Sequence, residues 1–424
     1  MYSRLIFELS RRISSPTNSS RILSSSAKNV PFGRKQEATR HDWNRAVSEA
    51  ERVVGYPTSF LSLRWLLSDE IANVALHLRK IVGSNHPLLK TGRNLLYNGK
   101  NTTQTWSLIV LLVSKAAGHA PQIPDVEQDK SAGVLHSQRA LAEVTEMIRI
   151  SQMVHQSVVN LQPETIAKDQ ECYEDMTFGN KIGLLTGDYL LSHSSVEVAN
   201  LRNQELVELI SSAFRDFSES QFLGERDEQN NPLPSNPLNK TERKVIGGSK
   251  DSVESDVLTP MSLETAMGIP EKEWELRHIL TAGSLLAKSC QGALKLAGQP
   301  EDFQKQGYLF GKHLSLAWQA CMDAEPFQHS TLPVEGSFSL VSLPILFHLD
   351  HDPTLFKEIE KGKKSVDDVD YEKIHAAVRS GPGLEETKKV LKKHTSAALE
   401  VLDQFSPSDA RTALQNIILA MQDL

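Results

Sequence analysis

Residues 136–160 constrain this chain more than any other stretch. Leu141, Val144, Met147, Ile148, Ile150, Val154 and Val158 fall on nearly every side of a helix. A surface helix carries its apolar residues in one stripe, so a helix that is apolar all round has to lie inside something. The rest of the chain supplies helices to surround it. Apolar residues recur at helical spacing over 43–54, 61–81, 106–117, 179–198, 203–224, 274–297, 301–321, 341–348, 354–361, 369–379, 384–404 and 407–423, and strand-like alternation is scarce. The last segment carries its own start signal: Ser406 as N-cap, Pro407 at the first helical position and Asp409 in the capping-box place. The pattern predicts an all-α fold, one large helical bundle built from 41–224 and 270–424.

One stretch breaks the pattern. From Glu225 to Ile269 the chain is rich in Asn, Pro, Ser and charge, with little periodicity. Such a segment buries too little apolar area to offset its ordering entropy. It reads as a disordered, mobile insertion between two core helices, either a plain solvated loop or a docking loop.

The first 40 residues differ again. Arg4, Arg11, Arg12, Arg21 and Lys28 face a single acid, Glu8, within residues 1–30, among frequent serines and a short apolar face from Leu5 to Ile13. That composition is that of a mitochondrial transit peptide, with a basic flexible tail as the alternative. A secretory signal fits less well, because charge interrupts the apolar residues. The chain as a whole has a net charge of −7, which argues against an electrostatic nucleic-acid binder. Its longest apolar run, Leu108 to Val113, is far short of the roughly 20 residues that span a bilayer. Cys172, Cys290 and Cys321 show no paired spacing and read as free thiols.

The chemistry-bearing residues cluster after the buried helix. Residues 155–160 read His-Gln-Ser-Val-Val-Asn, and residues 178–191 read Phe-Gly-Asn-Lys-Ile-Gly-Leu-Leu-Thr-Gly-Asp-Tyr-Leu-Leu. Together they resemble the first catalytic region of the trans-isoprenyl diphosphate synthases, in which a His-Asp-Asp-x-x-Asp run precedes a Gly-Asn-Lys…Gly-Asp-x-Leu-Leu helix. Further along, Gly311 to Gln319 is similar to the segment before that family's second aspartate motif, 341–347 to its Thr-Ala-Pro-Val-Leu-Phe element, and 406–414 to its terminal helix. The resemblance runs from about residue 42 to the C-terminus, apart from the insertion. It implies the isoprenoid synthase fold and a reaction that joins an allylic diphosphate to isopentenyl diphosphate.

The carboxylates that this reaction requires are missing. Mg²⁺ neutralises the departing diphosphate and is held by hard carboxylate oxygens. At the first motif the aspartates fall on Gln156, Ser157 and Asn160, leaving His155. At the second, Gln319 and Asp323 remain, followed by Ala324, Glu325 and Pro326, the last expected to end the helix. No arginine lies between Ser157 and Phe178, where active members carry an Arg-Arg pair. Thr281-Ala282 stands where the family has a Lys-Thr pair. The resemblance leaves Lys100, Lys181 and Asp188 as weak substrate-binding candidates, with no catalytic set intact and no metal ligands. His348, Asp350, His351 and Asp352 form a dense cluster that reads as a polar loop ending a helix.

Within the family, the N-terminal run Trp43-Asn…Val54-Gly-Tyr-Pro-Thr-Ser-Phe is similar to that of the non-catalytic subunits of heteromeric decaprenyl-type synthases. That likeness implies an aspartate-rich catalytic partner carrying the Mg²⁺, commonly in a heterotetramer, and no cofactor on this chain. It also implies work on the side chain of ubiquinone in the mitochondrial matrix or at the inner membrane. The alternatives are a prenyl-lipid binding protein using the old product tunnel, and a divergent active prenyltransferase.

Overall fold

Small residues set the middle of the bundle. Helix α8 (Ser284–Leu296) has Gly292 facing Leu206 and Leu141, where an added Cβ would come within 2.5 Å of the first and 3.3 Å of the second. Around it pack α3 (Trp106–Ala117), α4 (His136–His155), α6 (Gln204–Ser220) and α9 (Glu301–Gln328). A Cβ added at Gly311 of α9 would lie 2.7 Å from Ala287 Cα of α8, so these two helices meet backbone to backbone. Polar pairs fix the register: Thr145 Oγ1 donates to Ser289 Oγ at 2.8 Å, and Gln138 Nε2 to the Ala293 carbonyl at 2.9 Å.

The computed structural model describes residues 43–55, 86–96, 106–129, 133–161, 170–238, 263–333 and 336–422. The outer helices are α1 (Trp43–Val54), which lies against α13 (Asp409–Gln422) and α3, together with α2 (Pro87–Leu96) and α5 (Gln170–Asn200). Helix α7 (Pro270–His278) runs into α8 through a π-helical turn, Ile279–Gly283. The C-terminal part adds α10 (Leu343–His351), α11 (Tyr371–Ser380) and α12 (Gly383–Leu402). A two-residue hairpin, β1 (Gln128–Asp129) with β2 (Val134–Leu135), leads into α4. The all-α reading holds. As expected, α4 is interior along most of its length: Leu141, Val144, Met147, Ile148 and Ile150 are all buried.

Several boundaries differ from the sequence reading, each for a local reason. Helix α4 stops at His155, not at 160, because Asn180 takes over the backbone beyond it. Pro326 does not end α9, which continues to Gln328 with the proline inside it; His375 Nε2 bonds the Pro326 carbonyl at 2.9 Å. The cap of α13 is Ser408, not Ser406: its hydroxyl accepts from Arg411 N at 3.2 Å and its carbonyl from Thr412 N at 3.0 Å. The ends of the 225–269 segment are packed. Leu233 is buried with Phe327, Ile345 and Leu349, and Asp227 organises a turn through Asn231 N at 2.8 Å and Gln229 N at 2.9 Å. Hydrogen bonds to the backbone hold these residues, and apolar periodicity does not register such bonds. Residues 239–262, the predicted 61–81 helix, Lys100 and residues 1–40 lie outside the described residues.

Candidate functional site

The segment after α4 is shaped by amides. Gln156 caps the helix, its N–H donating to the Gln152 carbonyl at 2.9 Å. Ser157 Oγ bonds the Val154 carbonyl at 2.6 Å. Asn180 of α5 accepts from Val159 N at 2.9 Å and donates to Val159 O at 2.8 Å, clamping the chain. Asn180 is itself paired with His86 at 3.1 Å. His86 is buried, which lowers its pKa, and it lies where a side chain at Gly179 would be. Asn160 then donates through Nδ2 to the Glu228 carbonyl at 2.6 Å. Gln156 and Asn160, which stand at the first and last aspartate positions of the family motif, therefore do not lie on one helical face, because the helix ends before them.

These residues edge a cavity of about 1070 Å³ between α4, α5, α6 and the α7–α8 junction. Ile148, Leu184, Leu191, Phe214, Phe217 and Val341 give it apolar walls, while Gln152, Gln156, Asn160, Gln221 and Gln229 give it an amide-lined end. His155 and Asp188 are brought together at the rim, His155 Nε2 lying 3.2 Å from Asp188 Oδ1, with Asp188 67 % exposed. Gly187 makes room for that ring, since a Cβ there would lie 2.2 Å from it. Lys181 is exposed on α5 and does not line the cavity.

The cations at the cavity wall are committed to protein oxygens. Arg277 bonds Glu273 Oε1 through Nε at 3.0 Å and Nη2 at 2.8 Å, and also donates to the Leu223 and Leu233 carbonyls. Arg226 donates to the carbonyls of Gln221, Asn230 and Ser220. Burial and then the neighbouring Arg277 lower its pKa. The same two causes push His278 down to about 3, so it is neutral. Thr281 accepts from Gln152 Nε2 at 2.6 Å through its carbonyl, which lies in the π turn.

The second motif is not part of this cavity. Asp323 is 5 % exposed, and Trp274 Nε1 at 2.7 Å, Leu343 N at 2.9 Å and Gln319 Nε2 at 2.8 Å all donate to it. Burial pushes its pKa up to about 6 against the pull of those three bonds. Gln319 and Asp323 thus form a structural node behind the wall, away from the first motif. The residues present do not fit Mg²⁺: the amides of the first motif are neutral, that of Asn160 is engaged with the Glu228 carbonyl, and the one carboxylate of the second is enclosed by donors. Among the described residues no group of three His, Cys, Asp or Glu could hold a metal ion. The 348–352 cluster is not a polar loop: His348, Asp350 and His351 lie in the last turns of α10, with His348 buried over Gly381, and only Asp352 lies beyond the helix, where it accepts from Thr354 N at 3.0 Å.

Sequence reasoning missed His86, Asn180, Gln152 and Gln229. The adjacent Gly179-Asn180 pair carried a signal: a glycine inside a helix marks a close approach. Nothing in the sequence pairs Gln229 with Asn160. The outer face of α5 leaves Leu185, Tyr189 and Val196 between 38 % and 58 % exposed.

No family model matches the chain. It is 36 % identical over 397 residues to the all trans-polyprenyl-diphosphate synthase PDSS2 of Homo sapiens, covering 92 % of this chain and 89 % of that one. It is 24 % identical over 441 residues to a probable mitochondrial hexaprenyl pyrophosphate synthase of Yarrowia lipolytica, covering 90 % and 89 %. In fold it is similar to the polyprenyl synthase of Caulobacter crescentus, with a TM-score of 0.58, 17 % identity and coverage of 91 % and 99 %.

Proposed function

The chain belongs to the trans-isoprenyl diphosphate synthase family, and from that premise we propose that it is the non-catalytic subunit of a heteromeric trans-polyprenyl diphosphate synthase. Its relatives are polyprenyl and hexaprenyl synthases, which supports a role in making a polyprenyl diphosphate, here the side chain of ubiquinone. The mitochondrial relative supports a mitochondrial location, in keeping with the basic, serine-rich N-terminus.

One observation carries the reading. The residues that stand at both aspartate motifs are tied to their own chain: Asn160 bonds the Glu228 carbonyl and Asp323 takes three donors. A centre so occupied does not clamp a metal-bound diphosphate. Among the described residues the helical scaffold around it is kept, and α5 presents an exposed apolar stripe rimmed by Lys181 and Asp188. Such a stripe is suited to another helical subunit. The partner is an aspartate-rich catalytic homologue that carries the Mg²⁺, in a heterotetramer.

The test is to express the chain alone and with such a homologue, and to follow incorporation of labelled isopentenyl diphosphate with Mg²⁺. Activity in the mixture alone supports the proposal; elongation by the lone chain overturns it in favour of a divergent prenyltransferase. The apolar walls of the cavity favour a second reading, a prenyl-lipid carrier, which predicts a bound isoprenoid in organic extracts of the purified chain.

A further inference from the structure

We propose that the cavity takes an uncharged isoprenoid with a hydroxyl head, its chain on the apolar walls and its head on Gln152 and Gln156. This selection rests on the cavity's holding a prenyl chain, the second reading above, and adds the head group that it accepts. At about 1070 Å³ the cavity stands at the upper end of the size of small-molecule sites. Leu184, Leu191, Phe214 and Phe217 give a chain its apolar contacts.

The head site lies at the end of α4. Gln156 follows Gln152 by four residues, and its N–H donates to the Gln152 carbonyl at 2.9 Å, so the two side chains are neighbours. Both line the cavity. Gln152 Nε2 is held on the Thr281 carbonyl at 2.6 Å, which leaves Gln152 Oε1 as an acceptor in a set position. Among the described residues nothing pairs with that oxygen or with the side-chain amide of Gln156. A fixed acceptor therefore stands beside a free donor. A hydroxyl donates and accepts, so it satisfies both; a carbonyl or an ether satisfies only the donor.

A diphosphate finds no matching charge here. Among the described residues the cavity is lined by two arginines, two histidines and no lysine. Arg277 makes four hydrogen bonds with its five N–H groups, and its charge is met by Glu273, which is 1 % exposed. Glu273 also accepts from Ser235 N at 3.0 Å and Gly268 N at 2.8 Å, so this pair anchors the wall. Arg226 donates to three carbonyls and feels the charge of Asp227. His155 lies against Asp188. An anionic head would exchange water for neutral amides, or would draw Arg277 away and leave Glu273 buried without its partner.

The test is equilibrium binding of tritiated geranylgeraniol to the full chain. The competitors are its methyl ether, a prenyl quinone of equal chain length and geranylgeranyl diphosphate, each with and without Mg²⁺. The alcohol is expected to bind most tightly, with the ether and quinone about fivefold weaker and the diphosphate at least about tenfold weaker under both conditions. Gln156→Ala, at an exposed position, should weaken the alcohol about fivefold with the helical circular dichroism unchanged. Diphosphate binding as tightly as the alcohol overturns the head selection and leaves a prenyl carrier standing. Absence of binding by all four compounds overturns both. Equal affinity for alcohol and ether, or an alcohol affinity unmoved in Gln156→Ala, overturns the placement of the head. The ligand series on the unaltered chain decides the matter if the variant does not fold.

Discussion

The carboxylate of Asp323 accepts the indole N–H of Trp274 at 2.7 Å, joining α9 to α7 across 49 residues of sequence. The same oxygen takes Leu343 N at the start of α10. Three helices therefore meet on one buried acid. Replacing it by alanine leaves two buried donors unsatisfied. Asp323→Ala is expected to lower stability by about 3 kcal/mol, and Asp323→Asn by about 1 kcal/mol, since the amide oxygen keeps an acceptor in place. Urea unfolding of the two variants checks the ranking. A metal role would make the two equally harmful to the activity of the reconstituted complex at unchanged stability.

The α5 stripe carries the partner prediction. Leu185 is 58 % exposed and Val196 55 %, so charged replacements there should not disturb the core. Leu185→Glu with Val196→Glu is expected to abolish co-elution with a catalytic homologue while leaving the helical circular dichroism of the lone chain intact. Retained co-elution would move the interface elsewhere.

Two glycines separate rigid from yielding contacts. At Gly311 a Cβ would meet the backbone of α8, 2.7 Å from Ala287 Cα and 2.8 Å from Leu286 O, and neither atom can rotate away. Gly311→Ala should cost about 1–3 kcal/mol through separation of α8 and α9. At Gly187 the obstacle is the His155 ring, which can swing. Gly187→Ala should cost less and should displace the His155 ring, observable as a change in its NMR chemical shifts, as its contact with Asp188 is lost.

Acid should destabilise the fold through its buried histidines. His313 and His394 face each other, Nδ1 to Nδ1, at 3.0 Å. Burial, with Lys312 and Lys393 and, for His394, the His313 ring, holds them down at about 4 and about 3, against 6.5 when unfolded. Between about 4 and 6.5 the unfolded chain binds more protons, so this contribution to stability is lost as pH falls through that window. Glu275 opposes the shift at His313 without reversing it. Asp323, raised to about 6 from 3.8, acts in the other direction, and its contribution is lost as pH rises through about 6. With His278 also depressed to about 3, the histidines outweigh the one acid. The melting temperature should fall from pH 6.5 to 4; His313→Leu with His394→Leu should flatten the fall, and Asp323→Asn should steepen it.

The helices were legible because burial leaves a period. Leu141 to Val154 announced an interior helix, and that helix is interior. The site was legible only by what it lacked. Gln156 and Asn160 showed that the first motif had lost its charge, yet no periodicity reveals that Asn160 donates to Glu228, a bond across 68 residues. Pro326 misled for a physical reason: a proline near a helix end removes one bond, and here the turn continues with its carbonyl taken by His375. Leu233 and Asp227 lie in a segment without apolar period: Leu233 is a single apolar residue packed on a distant cluster, and Asp227 is held by backbone amides.

The π turn at Ile279–Gly283 bears on how chains like this one are compared. One additional residue in a helical turn rotates everything beyond it by about 100° about the axis. A residue-by-residue correspondence drawn through Thr281 and Ala282 can therefore stay in step along the sequence while pointing to a different side of the rod. For this wall of the cavity, angular position is a better guide to equivalence than order along the chain.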